Sequence, residues 1–332
     1  MGLDVKQEPF RHRIVISVLV FFIGFGTLIG CGIVQEADPD EAIPNEQETD
    51  EPDEEARTPT DYPIVIPDDW DLNVSIESRP ERVVSLSPGH TDILLALNVE
   101  DALVGLDRSS ALPKALTSIV RVGTLDDLDH DALDGLRPDL VLANDQTPAL
   151  LNWQAKSETD LLIRNPDSLE ELCRTIEEFG EVMDAAARAE VVVSKVREKL
   201  ATIRRDLDAL DSAERPRVFV EMWSDPLMTA GGGAFIDDVI RAAGGINVAG
   251  DKPGVWVAYS EAALQAEDPD AIITVFQETV SEIESGKRPS WQSLSAIEAA
   301  RYRWIDLDLV NYPSPRAVEG VSELFDFFHG ER

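Results

Sequence analysis

The chain has 332 residues, 43% of them hydrophobic, which is the length and apolar share of two ordinary globular domains. Its formal net charge of −35 weighs against nucleic acid, or an anionic membrane surface, as a partner bound through charge. Two cysteines and four histidines form no cluster at zinc-binding spacing.

Arg11 and Arg13 precede an apolar run over residues 14–28, IVISVLVFFIGFGTL, which is the layout of a secretion signal. The run is shorter than the ~20 residues a bilayer-spanning helix needs. It closes on LIGC. A small residue before Cys31 resembles a bacterial lipobox, and that resemblance implies a signal over residues 1–30 and a lipid on Cys31. An uncleaved anchor with an incidental cysteine is the other reading of the same residues. Both place the rest of the chain outside the cytoplasmic membrane. Residues 31–61 follow. From residue 36 on they are almost all acid, proline and small polar residues, too little apolar surface to order themselves. They are expected to form an extended tether or, alternatively, an interaction tail.

The folded part begins with a hairpin expected over residues 62–77. RVVSLS (82–87) predicts a short strand ended by Pro88-Gly89, and an apolar helix follows. Residues 101–107 predict a second strand, 131–136 a short helix stopped before Pro138, and 139–144 a strand apolar on both faces. After a short strand at 161–163, Ser168 and Glu171 have the spacing of a capping box. They open a helix in which Leu169, Leu172, Cys173, Ile176 and Phe179 share one face, so Cys173 is expected to be a buried thiol.

Val193, Val196, Leu200, Ile203, Leu207 and Leu210 then step by three and four, predicting one long uninterrupted helix over about 184–210. Beyond it the first pattern returns. A strand at 217–223, a turn-rich loop at 224–233, a helix at 234–245, a short helix from 259, a buried strand at 270–275, a strand at 303–308 and a helix at 315–328 are expected. ALDGLRPDLVLAN (132–144) and ALQAEDPDAIITV (263–275) show the repeat most plainly. The expected fold is α/β: two βαβ-type lobes, 62–183 and 213–330, with a cleft between them, joined by one long rigid helix over 184–212. The cleft is expected where strand carboxyl ends meet helix N-termini. Its loops are then 87–91, 107–113, 144–148, 223–233 and 308–316.

Ser85, Ser87, His90 and Asp92 lie close together and raise a hydrolase reading, but SLSPG lacks the glycines of a nucleophile elbow. His90 is alternatively a lone metal ligand at the cleft or a surface residue. AGGGAF lacks the Lys-Ser/Thr of a phosphate loop. Its glycines are expected to turn sharply or to let backbone approach a ligand. A secreted Ser/His hydrolase and an adhesin on an acidic stalk stand as rival readings.

PERVVSLSP, VGLD, VGTL, LRPDLVLA, the segment PRVFVEMWSDPLMTAGGGAFIDDVIRAAGGINVA, and WIDLDL with PSPRAVEGVSEL occur in an order that resembles the ABC-transporter substrate-binding proteins with a helical backbone between lobes. The resemblance runs from about residue 62 to 328 and is greatest to the cobalamin-binding branch. It implies a non-catalytic protein that carries a corrinoid or, alternatively, a ferric siderophore or haem to an importer permease, without a catalytic cofactor and as a monomer. It implies that Trp256 contacts the corrin, that Asp308 takes the ligand's amides, and that Trp223 stands beside a cleft aromatic. Ser109, Leu125 and Asn144 stand where the family has aromatic rings, and Tyr312 where it has an arginine. Ser87 and His90 fall on the first cleft loop. Arg316 would pair with an anionic ligand or cap the last helix. Asp131 and Glu261 match the acids that dock on the permease.

Overall fold

The computed structural model describes residues 59–70, 72–112, 116–210 and 215–330. The expected signal, Cys31 and the tether up to residue 58 lie outside the described residues. The hairpin is β1 (Ile64–Pro67) against β2 (Asn73–Ile76), antiparallel, with Ile66, Val74 and Ile76 buried in alternation. A parallel sheet follows in the order β5-β4-β3-β6-β7: β3 (Val83–Ser85), β4 (Leu103–Leu106), β5 (Val120–Arg121), β6 (Leu140–Ala143) and β7 (Asp160–Ile163). Helices α1 (Pro88–Ala96), α2 (His130–Leu136), α3 (Pro148–Gln154) and α4 (Leu169–Val182) accompany it.

Helix α5 (Ala186–Asp208) is unbroken over 23 residues, about 35 Å at 1.5 Å per residue. It begins two residues later than expected because Asp184 turns the chain with φ +55. The second lobe contains β8 (Arg217–Glu221), β9 (Trp223–Ser224), β10 (Leu227–Ala230), α6 (Phe235–Ala242), β11 (Ile246–Asn247), β12 (Trp256–Ala258) and α7 (Glu261–Glu267). It continues through β13 (Ala271–Thr274), α8 (Gln277–Glu284), α9 (Ser295–Glu298), β14 (Tyr302–Trp304), α10 (Leu307–Val310) and α11 (Ala317–His329). Its parallel sheet has the order β11-β8-β13-β14, and β12-β10-β9 form a small antiparallel sheet. The expected loop at 224–233 therefore holds a strand. The strand expected to reach 308 stops at Trp304, because Asp306 accepts the N–H of Asp308 and opens α10.

The strands are apolar on both faces because both are covered. In the first lobe Val83, Leu140 and Leu142 face one core, while Val84, Val141 and Ala143 face another with Leu133, Leu150 and Trp153. The second lobe repeats this, with Val218, Val220 and Ile273 on one side and Phe219, Ile272 and Trp291 on the other. The inner faces of both sheets belong to one continuous core, into which α1, α4, α5, α6 and α11 pack. Across α4 and α5, Arg197 pairs with Glu177 (3.1 Å) and Glu170 (3.5 Å). Ser168 caps α4 as expected, through Glu171 N at 3.4 Å, while the Glu171 carboxylate reaches back to Asp167 N (3.3 Å), one residue before the cap. Thr60 and Tyr62 donate to the last carbonyls of α4, at 3.1 Å to Glu181 and 2.8 Å to Val182, which ties the start of the described chain to that helix.

The sequence echo has a specific structural cause. Asp129 and Ser260 cap the short helices α2 and α7, and each helix ends on a residue in the left-handed region, Arg137 (φ 46) and Asp268 (φ 43). The prolines that follow bar further helix. Asp139 then accepts the N–H of Arg82 (3.0 Å), and Asp270 that of Arg217 (2.8 Å), at the start of the neighbouring strand. The same two arginines donate to the last helical carbonyls, at 2.9 Å to Leu136 and 2.5 Å to Glu267. A Pro-Asp pair and a distant arginine thus lock helix, turn and two strands once in each lobe.

Candidate functional site

The carboxyl-end loops of the two lobes meet at the segment 308–316. A Cβ placed on Gly89, at the start of α1, would lie 2.5 Å from the carbonyl oxygen of Pro313, so only glycine permits this approach. Asp92 of α1 is bonded to Ser314 and feels the charges of Arg316 and Asp308. Tyr312 lies within the fields of Asp308 and of Asp107, at the carboxyl end of β4. Burial raises the pKa of Asp92, Asp308 and Tyr312, with neighbouring acids adding to the effect.

On the second-lobe side a cavity of about 360 Å³ opens at the ends of β8 and β13. Met222, Trp223, Met228, Trp256, Phe276 and Asn311 are among its walls. Trp223 and Trp256 are 54% and 46% exposed, a large apolar area held in water beside a half-buried surround. Trp223 is fixed by its indole N–H on the Asp225 carbonyl (2.9 Å) and by an edge-on contact with Phe276 (6.2 Å). Trp256 lies on β12, opposite Ala230 of β10. The glycine triplet serves this strand. Gly231 N donates to Val255 O (3.0 Å) and Gly232 N to Lys252 O (3.1 Å), and a Cβ on Gly232 would stand 2.2 Å from the Gly250 carbonyl oxygen. The glycines therefore admit the backbone of 250–255, which carries Trp256.

On the first-lobe side buried Asp107 accepts the N–H groups of Ser109 (2.5 Å) and Ser110 (3.0 Å). Ser110, Thr91 and Ser85 continue as a buried hydroxyl chain, with 3.0 and 2.9 Å links. This fixes the loop so that Ser109 faces solvent. Asn144, directly after β6, is half-buried.

Several expected residues lie away from the cavity. Ser87 is buried at 3% exposure as the residue before α1. His90 is buried at 2%, its Nε2 2.9 Å from the Arg164 carbonyl and its ring edge-on to Phe179. Nδ1 has no partner among the described residues. The imidazole is thus turned into the lobe, neither bonded to Ser87 as a hydrolase would require nor open to a metal. The cause is helical phase: the first turn of α1 directs position 90 toward α4. Arg316 precedes α11 and lines a groove with Val192, Lys195 and Val196 of α5. Asp131 is exposed on the first turn of α2. Glu261 is exposed on α7, with its carboxylate bound by Trp291 Nε1 (2.7 Å) and Ser290 Oγ (2.8 Å). Met222, Met228, Phe276 and Asn311 were not among the expected residues. Phe276 and Met222 were within reach of the rule that placed Trp223, since each lies within two residues of the end of a buried strand.

A family model described as periplasmic binding protein matches residues 83–306. An uncharacterised ABC transporter substrate-binding lipoprotein of Bacillus subtilis is 30% identical over 282 residues, 83% of this chain and 88% of that protein. A cobalamin-binding protein of Halobacterium salinarum is 28% identical over 278 residues, 81% of this chain and 74% of its own length. Among solved structures, a periplasmic vitamin B12-binding protein of Vibrio cholerae has a TM-score of 0.67 at 21% identity, covering 75% of this chain and 97% of its own. A periplasmic haem-binding protein of Roseiflexus has a TM-score of 0.67 at 24% identity, covering 75% and 98%. The likeness to these two structures is one of fold: two α/β lobes joined by a helical backbone. By sequence the chain belongs to the periplasmic binding protein family.

Proposed function

We propose that this chain is the extracytoplasmic capture subunit of an ABC importer, held at the membrane by a lipid on Cys31, and that its ligand is a corrinoid. The observation that carries the ligand class is the exposed pair Trp223 and Trp256 around an apolar cavity at the ends of β8 and β13. Two large rings held in water suit a broad, partly apolar ligand face. The acids nearby, Asp308 above all, accept amide N–H groups of the kind that rim a corrin. Haem would need an axial imidazole, thiolate, thioether or phenolate. His90 is turned away, and burial raises the pKa of Tyr312 and so disfavours its phenolate, which leaves the Met222 and Met228 thioethers at the cavity as the axial candidates for haem. A complete corrinoid such as cobalamin carries its own axial base. An anionic siderophore would meet Asp92, Asp107 and Asp308 at the cleft, while Arg316 shares its charge with Asp92 and Asp308. The cobalamin-binding relative supports the same reading. In it the exposed acids Asp131 and Glu261 meet the permease, one on each lobe, which orients the protein on its partner.

The test is a titration of the protein with cyanocobalamin, cobinamide, haemin and ferric siderophores, followed by absorbance and tryptophan emission. Trp223→Ala and Trp256→Ala should each weaken corrinoid binding by about tenfold, the order of one aromatic contact with its buried area. Tighter binding of haemin, or unchanged affinity in both variants, would refute the assignment.

A further inference from the structure

A series of contacts inside the second lobe joins the cavity to Glu261, with Arg288, also held by Glu282 (2.9 Å) and touching Ser224 directly (3.3 Å), at its centre. It starts with the neighbours of the cavity rings. Ser224, next to Trp223, donates to Glu221 Oε1 (3.1 Å). Thr274 donates to Glu221 Oε2 (2.7 Å) and accepts the N–H of Phe276 (3.1 Å). Glu221 is fully buried and meets Arg288 at 2.5 Å. The Arg288 guanidinium lies 4.7 Å from the centre of the Trp291 ring, and the Trp291 indole N–H ends on the Glu261 carboxylate at 2.7 Å.

A buried ion pair of this kind is a poor stability device, since well-packed apolar residues of similar volume often do as well or better. What it supplies is direction. Each oxygen of Glu221 faces one cavity-side hydroxyl, and Arg288 cannot move without moving against the indole plane. Trp291 is fully buried and edge-on to Phe219 (6.0 Å), so a displacement of its ring is carried to its N–H. The first lobe offers the comparison. There the corresponding indole, Trp153, donates to Asp134 at 2.6 Å, one turn beyond Asp131. The tie from indole to the acid proposed to face the permease belongs to the second lobe.

We propose that Glu221, Arg288 and Trp291 form a relay that reports occupancy of the cavity at the Glu261 carboxylate. A ligand pressing on Trp223 or Phe276 shifts Ser224 or Thr274, re-aims the Glu221–Arg288 pair and moves the indole that holds Glu261. The partner-facing acid of the second lobe then differs between filled and empty protein, which is the differential contact that a permease needs to tell them apart. This rests on the proposed function for the meaning of Glu261, but the coupling itself is testable without it.

The experiment is indole ¹H–¹⁵N spectroscopy of the full chain. Its six tryptophans give six indole signals, and Trp291→Phe assigns the relevant one. Ser224→Ala and Thr274→Val perturb the cavity end, and in both the Trp291 signal should move while that of Trp153 stays in place. Cyanocobalamin at saturation should move it as well. Glu261→Gln should change cyanocobalamin affinity about threefold in the wild type and not in the Trp291→Phe background. A Trp291 signal unmoved by both folded substitutions overturns the relay. Cyanocobalamin that shifts Trp223 and Trp256 but not Trp291 also overturns it while leaving the binding site standing. Absence of any cyanocobalamin binding defeats the corrinoid assignment instead, and the two substitutions still decide the relay.

Discussion

Acidification should destabilise this protein through His90, at a pH where a solvent-exposed histidine would be harmless. The ring is buried and its Nε2 lies on the Arg164 carbonyl, so Nε2 carries the proton and Nδ1 is bare. Charging it puts a second proton on Nδ1, where the described residues offer no acceptor. Burial pushes the pKa down from 6.5 to about 4; the Arg164 charge adds to this, while the bond to the Arg164 carbonyl and the charge of Asp69 oppose it. At ~1.36 kcal/mol per pH unit the neutral ring is favoured by about 3 kcal/mol. The sign follows from proton uptake. Above pH 6.5 the ring is neutral folded or unfolded, and its contribution is complete. Below 6.5 the unfolded chain takes up the proton first, so stability falls with pH until the folded ring titrates near 4. Asp92, Asp308 and Glu178, whose pKa burial raises, act in the opposite sense in the lower part of this window. The His90 contribution is therefore read from a difference. Urea unfolding of wild type and His90→Gln, in which the amide N–H can keep the Arg164 bond, should give a stability gap that moves by about 3 kcal/mol toward the variant between pH 7.5 and 4. A gap constant with pH, or a His90 ring resonance titrating near 6.5, would refute the reasoning.

Three further outcomes follow from the packing. Gly232→Ala forces a methyl against the Gly250 carbonyl and should cost about 1–3 kcal/mol while displacing Trp256, whereas Gly233→Ala, with its nearest atom at 3.5 Å, should be tolerated; equal melting temperatures for the two would contradict this. Arg164 is buried between Asp69 (2.7 Å) and Glu178 (2.6 Å), so Arg164→Leu should lose about 3–5 kcal/mol and loosen the hairpin. Hydrogen exchange at residues 73–76 reads that directly. The unbroken α5 and the core shared by both sheets should hold closure on ligand binding to a few degrees, so scattering profiles of free and saturated protein should nearly superimpose. A wide clamshell movement would count against a rigid backbone.

Most of the architecture was legible in the residues because local rules and tertiary demands agree there. The stripe from Val193 to Leu207 predicts α5, and the apolar runs at 139–144 and 270–275 predict strands covered on both faces, since a parallel sheet requires that cover. The repeated Pro-Asp turn announced two lobes of one plan. The errors lie where a strand pairing or a local cap chooses between options that apolar patterning leaves open. Leu227–Ala230 became a strand because β12 pairs with it. The chain after Trp304 became α10 because Asp306 caps it. The β12 partner lies far along the chain, whereas the Asp306 cap is a two-residue bond that strand patterning does not weigh.

The proposed binding face divides in the same way. Sequence alone determined that large aromatic residues follow strand ends, because strand period and the chirality of βαβ units dictate which ends face the cleft. Which side chains reach it was decided by tertiary packing. Helical phase turned His90 into the lobe, the last helix drew Arg316 toward α5, and the Gly231–Gly233 approach set the strand that carries Trp256. Local propensity acts through nearest neighbours and is written along the chain. The direction of one side chain at a site depends on close packing among elements far apart in sequence, and no single stretch contains it.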